Sequence, residues 1–420
     1  MTSRELITEA LNHRPGDRVP LDLGGCGQTG MQVSTVYKLR QALKLDPPGT
    51  PVKVVDVFQM LGEIKPDLLA AVGGDVVNVS LPYTMFGFPA DNWKEWTTFD
   101  GTPVLIPGDF NTEPDADGAL LQYPKGDRSA PPSGKMPKGG FYCDAIVRQD
   151  PIDDDKLDPA DNLQEFGPLS ETDLAWLKNR TEQLHRETDK AILLTLPGMA
   201  FGDIALVPGP ALKHPRGIRD MEEWYMSTVT RRDYIAEVFD RQCDIAIANL
   251  ERIFAAVGNL PQVVWVSGSD FGAQNGPIVS PRAFRALYLP RMKRINDWIH
   301  EHTTWKTFIH SCGSILPLIP LMIEAGWDVL NPVQTSAANM NAAELKAKFG
   351  DRITFWGGGV DTQHTLPSAT PDEIRREVKG VLDTFAPGGG FVFNTIHNVQ
   401  HGVPVENLIA LYETVKNYRF

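Results

Sequence analysis

The chain has 420 residues, of which 42% are hydrophobic and 22% charged, with 40 Lys and Arg against 53 Asp and Glu and a formal charge of −13. That acidity repels phosphate backbones and argues against nucleic acid as a partner, and nothing in the balance points to a membrane surface. No run of ~18 apolar residues exists to cross a bilayer, and the length suits a single domain, 1–420, built as one barrel with insertions.

Residues 1–14 carry Arg4, Glu5, Glu9 and Asn12 where a secretory leader would need an unbroken apolar core. They predict instead an amphipathic helix, opened by the capping box Thr2-Ser3-Arg4-Glu5, with Leu6, Ile7, Ala10 and Leu11 on one face. Cys26, Cys143, Cys243 and Cys312 are scattered, and a chain this long needs no staples, so reduced thiols and a cytoplasmic setting are expected.

Arg18–Leu23 predicts a short strand that breaks into Gly24-Gly25-Cys26-Gly27. Helices are expected at 34–45 and 55–72, and a second strand at 75–79. Residues 85–165 are dense in Pro, Gly and Asp, and the aromatic-rich 93–106 stretch turns at Asp100-Gly101; this predicts a β-hairpin with long loops inserted into the domain. From 169 onward helices and short apolar strands alternate. Strands are expected at 191–196, 262–266, 306–309, 327–330, 353–356 and 391–393, separated by helices at 220–256, 281–300, 315–324, 343–349, 372–385 and 405–416.

Strands alternating with helices, without hairpin turns, imply a parallel sheet, and near-continuous apolar strands imply that both of its faces are covered. About eight such strands, with no GxGxxG after the first, favour an α/β fold closed as a (β/α)₈ TIM barrel over an open doubly wound sheet.

Barrel enzymes carry their chemistry at the C-terminal ends of the strands. Here those ends hold Asp22; Asp270, Gln274 and Asn275; His310 and Cys312; Asn331 and Gln334; Asp361; and Asn394, His397 and Asn398. His310-x-Cys312 places an imidazole and a thiol where a turn at Gly313 lets both reach one metal, and His397 would complete the three protein ligands typical of catalytic zinc. The plainer alternative makes His310 a hydrogen-bonding side chain and Cys312 packing. Asp270 and Asp361 are expected at the site as catalytic carboxylates, against the alternative of turn or cap residues. Asp22, Gln274, Asn275, Asn331, Gln334 and Asn398 are expected to bind substrate. Gly357-Gly358-Gly359 offers bare N–H groups that could face an anionic or carbonyl group.

Several segments resemble the uroporphyrinogen-decarboxylase superfamily. They are Arg14–Pro20, His310-Ser-Cys-Gly, Gly326–Gln334, Phe349–Arg352, Gly357–Asp361, Pro387–Phe391 and Pro404–Leu408. The resemblance is weak across the insertion. It implies a (β/α)₈ fold and one of two activities. His310-x-Cys312 matches the zinc motif of the branch that exchanges methyl groups with corrinoid proteins. In that branch the third ligand is typically a cysteine, and this chain has His397 at the matching place. The implied activity is a methyltransferase moving a methyl group from a small methyl ether or amine to or from the cobalamin of a corrinoid partner, with zinc as Lewis acid. The alternative is a metal-free decarboxylase acting on a small carboxylated substrate. Asp22-Leu-Gly-Gly-Cys-Gly-Gln stands where porphyrin decarboxylases carry paired arginines, which argues against porphyrin chemistry. Oligomeric state stays open, since the family includes homodimers.

Overall fold

The computed structural model describes residues 1–419. Seven parallel strands form one sheet: Val76–Val79 (β2), Ala191–Thr195 (β3), Val263–Ser267 (β4), Lys306–His310 (β5), Val329–Asn331 (β6), Thr354–Trp356 (β7) and Phe391–Val392 (β8), each paired with its neighbours in that order. An eighth, very short stretch at 20–22 (β1) closes the ring. Leu21 bridges Phe393 in parallel, Asp22 N donates to Phe393 O (2.9 Å), and Asp75 N donates to Leu21 O (2.8 Å). The fold is a (β/α)₈ barrel.

The seam at β1 is short because Pro20 supplies no N–H, and side chains take over part of the ladder's work. The buried Asp75 carboxylate accepts from Ser3 Oγ (2.6 Å), from Leu21 N (2.9 Å) and from both Arg18 amino groups (2.7 and 2.5 Å). One side chain thereby ties the N-terminal helix, β1 and the start of β2 together.

The inward-facing rows explain how the barrel positions its chemistry. Strand side chains alternate faces, and the inward set near the barrel floor is apolar: Val76, Ala191, Leu193, Val263, Phe308, Val329, Trp356 and Val392, plugged from below by Ile7, Ala10 and Leu11 of helix Ser3–Leu11. Two residues further along the same rows the character changes. Val76 is followed by Asn78, Leu193 by Thr195, Phe308 by His310, Val329 by Asn331, and Val392 by Asn394. The barrel is dry at its floor and polar at its mouth.

The C-terminal half matches the expected alternation closely. Two details differ. The 220–256 helix is two, Met221–Thr230 and Arg232–Val257. The helix opening at Pro281 contains a π-helical segment, Phe284–Tyr288, just ahead of Pro290, whose missing N–H the ordinary ladder cannot use.

The N-terminal half requires a correction. No helix spans 55–72. Val52–Asp56 is a strand, Leu61–Gly62 a second, and only Pro66–Val72 is helical. Val52 and Val54 are buried while Lys53 and Val55 are not, an alternation of period two. The expected hairpin forms from Lys94–Thr97 and Pro103–Ile106, and Val52–Asp56 joins its edge in parallel through Val52–Val104. A further three-stranded antiparallel sheet, Leu120–Gln122, Gly134–Met136 and Asp144–Ala145, fills the rest of the insertion. Among the described residues no helix is long and apolar enough to cross a membrane.

Candidate active site

β5 ends in His310, and the loop that follows bends at Gly313, where φ is +86°. A Cβ there would stand 2.4 Å from the Gly272 backbone, so only glycine lets this loop close against the loop after β4. Two hydrogen bonds hold the bend: Gln334 Oε1 accepts from Gly313 N (2.7 Å), and Asp270 Oδ1 accepts from Cys312 N (2.7 Å). Cys312 Sγ then lies 3.3 Å from His310 Nε2.

The loop after β8 brings the second imidazole. The rings of His310 and His397 have centroids 5.5 Å apart at 69°. One ligand atom each from His310, Cys312 and His397 all lie within 4.8 Å of one another.

The ring tautomers follow from the neighbours. Asn331 Nδ2 donates to Trp356 O (2.8 Å), so its Oδ1 faces His310 Nδ1 (2.6 Å) and that nitrogen is the one that donates. Asn398 Nδ2 donates to Gly27 O (3.3 Å) and to Gln59, so its Oδ1 faces His397 Nδ1 (2.9 Å) while also accepting from Gln400. Both rings are left with a bare Nε2. Ordering each imidazole through a hydrogen bond to its far nitrogen is how metal-binding histidines are prepared.

Electrostatics agree with that preparation. Burial lowers the His310 pKa to about 4, against the pull of Asn331. Burial, then the neighbouring His310, lowers His397 to about 4. Both rings are neutral at pH 7, the form that ligates. Burial and the adjacent Asp270 carboxylate raise the Cys312 thiol, so a metal would have to displace a proton from it. Burial likewise raises Asp270, opposed by the Cys312 N–H. Asp270 Oδ1 stands 4.0 Å from His310 Nε2.

The donor set fits zinc. Two imidazoles and one thiol are zinc ligands, three protein ligands leave the fourth position open, and a 3.3 Å Sγ–Nε2 separation suits bonds of ~2.3 and ~2.0 Å to one tetrahedral ion.

The remaining expected site residues divide. Asn331 and Asn398 adjoin the cluster but orient its histidines. Gln334 is buried and shapes the Cys312–Gly313 loop, touching Gln274 (3.3 Å), which is itself exposed. Asn275 sits on the exposed part of that loop and is not drawn in. Asp22 is buried inside the barrel, accepting from Gly25 N (2.8 Å) and Trp356 Nε1 (2.9 Å), with burial raising its pKa to about 6. Asp361 is engaged by its own turn, accepting from Gln363 N (2.8 Å), His364 N (3.3 Å) and His364 Nδ1 (2.8 Å). In the Gly357–Gly359 run, Gly357 N and Gly359 N donate to Val392 O and Asn394 O, so neither faces a ligand.

Three residues not singled out from the sequence border the site. Gln59 fixes Asn398 from a segment expected to be helical. Tyr225 Oη donates to Asp270 O (2.8 Å). Asp203 lies on the loop after β3, and its carboxyl is pushed up to about 7 by burial and by Asp270. The barrel rule itself points to that loop, which leaves the C-terminal end of a barrel strand.

A cleft of about 1180 Å³ opens on the β1–β2 side, between helix Pro66–Val72 and helix Glu171–Glu187. Asn78, Thr195 and Trp265 line it from inward rows, and Tyr83 and Trp93 from the insertion. None of the three cluster residues lines it. Gly27 does, and Asn398 bonds Gly27, so the His397 loop backs onto its wall.

Residues 211–418 match the family model described as uroporphyrinogen decarboxylase (URO-D). A uroporphyrinogen decarboxylase of Actinobacillus succinogenes is 37% identical over 79 residues, 19% of this chain and 22% of that protein. That of Vibrio campbellii is 36% identical over 148 residues, covering 33% and 38%. That of Geobacter sulfurreducens is 23% identical over 249 residues, covering 59% and 67%. The matches thus span only about a fifth to two fifths of the first two relatives' own lengths. A methyltransferase from Methanosarcina mazei superposes with a TM-score of 0.53 at 16% identity, over 99% of this chain and 98% of that one, and shares the fold. The matched segment, 211–418, contains β5 through β8 with all three cluster residues, and that part of the chain is a domain of the uroporphyrinogen decarboxylase family.

Proposed function

We propose that this protein is a zinc-dependent methyltransferase that moves a methyl group between a small methyl ether or amine and the corrinoid of a partner protein. The observation that carries this reading is the meeting of His310 Nε2, Cys312 Sγ and His397 within 4.8 Å, with both Nδ1 atoms already engaged. Bound there, zinc would supply Lewis acidity towards the heteroatom of the donor.

This chain's own groups do the rest. Asn331 and Asn398 hold the two imidazoles in one tautomer and one orientation. Asp270 braces the Cys312 backbone and keeps negative charge beside the cluster. The apolar barrel floor keeps water from entering below, and the polar upper row, Asn78, Thr195 and Asn394, faces the substrate. The methyl group would be exchanged at the barrel mouth, the one end not plugged by helix Ser3–Leu11.

The test is methyl transfer to reduced cobalamin by zinc-loaded protein, across methyl ethers and methylamines. Transfer that chelator abolishes and that Cys312→Ser removes is expected. Zinc-loaded protein that transfers no methyl group from any of these donors contradicts the reading.

A metal-free decarboxylase is the second reading, favoured by the activity named for the curated relatives. Asp270, whose carboxyl burial raises, would then deliver the proton that replaces carbon dioxide. Chelator-insensitive carbon dioxide release would select it.

A further inference from the structure

The loop after β4 carries a reactive dipeptide at its tip. Asn275-Gly276 is the only place in the chain where glycine follows asparagine. An asparagine side chain can be attacked by the backbone nitrogen of the next residue, and glycine hinders that approach least, having no Cβ beside its N–H. Nothing in the fold prevents the attack here. Asn275 is exposed. Among the described residues, neither its side-chain amide nor the Gly276 N–H has a hydrogen-bond partner. A Cβ built on Gly276 would find nothing within 4 Å, so the space around the attacking nitrogen is open. The other asparagines at the mouth differ on every count. Asn331, Asn394 and Asn398 are buried, each donates to a backbone carbonyl, and Pro, Thr and Val follow them.

The base of the same loop is fixed, and what fixes it is the turn that presents Cys312. Gly272 bridges Pro277, and Ala273 N donates to Gly276 O (2.8 Å). Ser314 N donates to Ala273 O (2.8 Å), and Ala338 N to Gln274 O (2.9 Å). Gln334 Nε2 donates to Gln274 Oε1 (3.3 Å), while Gln334 Oε1 accepts from Gly313 N (2.7 Å). A Cβ on Gly272 would stand 2.5 Å from Cys312 O. The tip is free, and both of its ends lean on residues 312–314.

We propose that Asn275 is a site of spontaneous deamidation, and that its conversion loosens the turn carrying Cys312. Gly276 N gives its proton to solvent and attacks Asn275 Cγ. The bond from Cγ to the side-chain nitrogen breaks, that nitrogen takes a proton from solvent and leaves as ammonia, and a succinimide ring joins residues 275 and 276. Water then opens the ring at either carbonyl, leaving aspartate or isoaspartate at 275. The net change is one water consumed and one ammonia released. Both products place a new negative charge at the barrel mouth. Isoaspartate also adds a methylene to the main chain inside the span that the hydrogen bond from Ala273 N to Gly276 O closes, so that bond cannot persist unchanged.

The experiment incubates purified wild type, Gly276→Ala and Asn275→Gln at mildly alkaline pH and follows the peptide containing residue 275 by mass spectrometry. Gly276 lies outside the left-handed region and has open space at its Cβ, so alanine fits there. Expected in wild type is the exchange of NH₂ for OH at residue 275, with isoaspartate among the products and a rate that rises with pH. Gly276→Ala is expected to slow it ~10-fold or more, because its Cβ crowds the attacking nitrogen, and Asn275→Gln to abolish it. In converted wild type the amides of 312–314 are expected to exchange hydrogen ~5-fold faster than in fresh protein, with no such change in Asn275→Gln incubated alongside. A residue 275 that stays unconverted, or conversion that Gly276→Ala does not slow, overturns the site. Conversion with unaltered exchange at 312–314 overturns its coupling to the Cys312 turn.

Discussion

The two halves of this molecule build with different rules. From 169 to 419 the chain repeats strand, loop and helix, and each loop delivers one or two polar groups to the barrel mouth. Residues 50–165 add to the barrel strand β2 two small antiparallel-rich sheets that contribute no candidate ligand. That half instead grips the loop that does. Phe141 stacks on His401 with centroids 3.5 Å apart, Asp100 accepts from His401 Nε2 (3.0 Å), and Gln59 holds Asn398, the partner of His397. The barrel half supplies the ligands, and the insertion half fixes how one of them stands.

That division can be tested at three places. The largest effect is expected within the barrel half. Asn331→Ala frees the His310 ring, and zinc affinity should fall ~10–100-fold by competition titration while the fold persists; unchanged affinity would mean the ring is set by packing alone. The next effect is in stability against pH. Asp203 has a folded pKa of about 7, raised above its ordinary value. Ionisation therefore opposes folding, and this carboxyl's contribution is greatest at acid pH and is lost as pH climbs from ~4 towards 7. Metal-free wild type should lose about 2 kcal/mol relative to Asp203→Asn between pH 4.5 and pH 8, a figure discounted for the carboxyl's residual exposure. Urea midpoints at the two pH values measure it, and a difference of the opposite sign would refute the neutral carboxyl. The smallest effect is in the insertion half. Phe141→Ala removes one stacking contact worth about 1 kcal/mol, and should weaken zinc binding only a few-fold while speeding hydrogen exchange in 397–401. A loss as large as that of Asn331→Ala would show that the insertion governs the site as strongly as the barrel.

What could be read from the sequence follows the same division. Long buried strands announce themselves as apolar runs, so the 191–196, 262–266 and 306–309 strands lie within a residue of their expected bounds. Val52–Asp56 escaped because Val-Lys-Val-Val-Asp followed by Leu61 and Leu68 also satisfies a helical spacing, and the edge it pairs with lies some fifty residues away. The helical spacing likewise gives Gln59 no role at the site. At the site, residue type told which side chains gather at the mouth, but not what each one touches. Asn331 and Asn398, expected to bind substrate, hydrogen-bond the two histidines. Asp361 forms a turn with His364, which is the role Asp ordinarily takes in such loops. Asp203 carries no sequence signal, because the loop after β3 is rich in Gly, Pro and Ala and the Asp270 carboxylate that raises its pKa comes from another strand.

The central claim is that His310, Cys312 and His397 hold one metal ion. Purified protein, stripped and then titrated with zinc, is expected to bind about one ion per chain, with an absorption-edge spectrum showing one sulfur and two imidazole nitrogens, and Cys312→Ser is expected to lose the sulfur contribution and most of the affinity. Protein that takes up no zinc, or a spectrum without sulfur in the wild type, would contradict it.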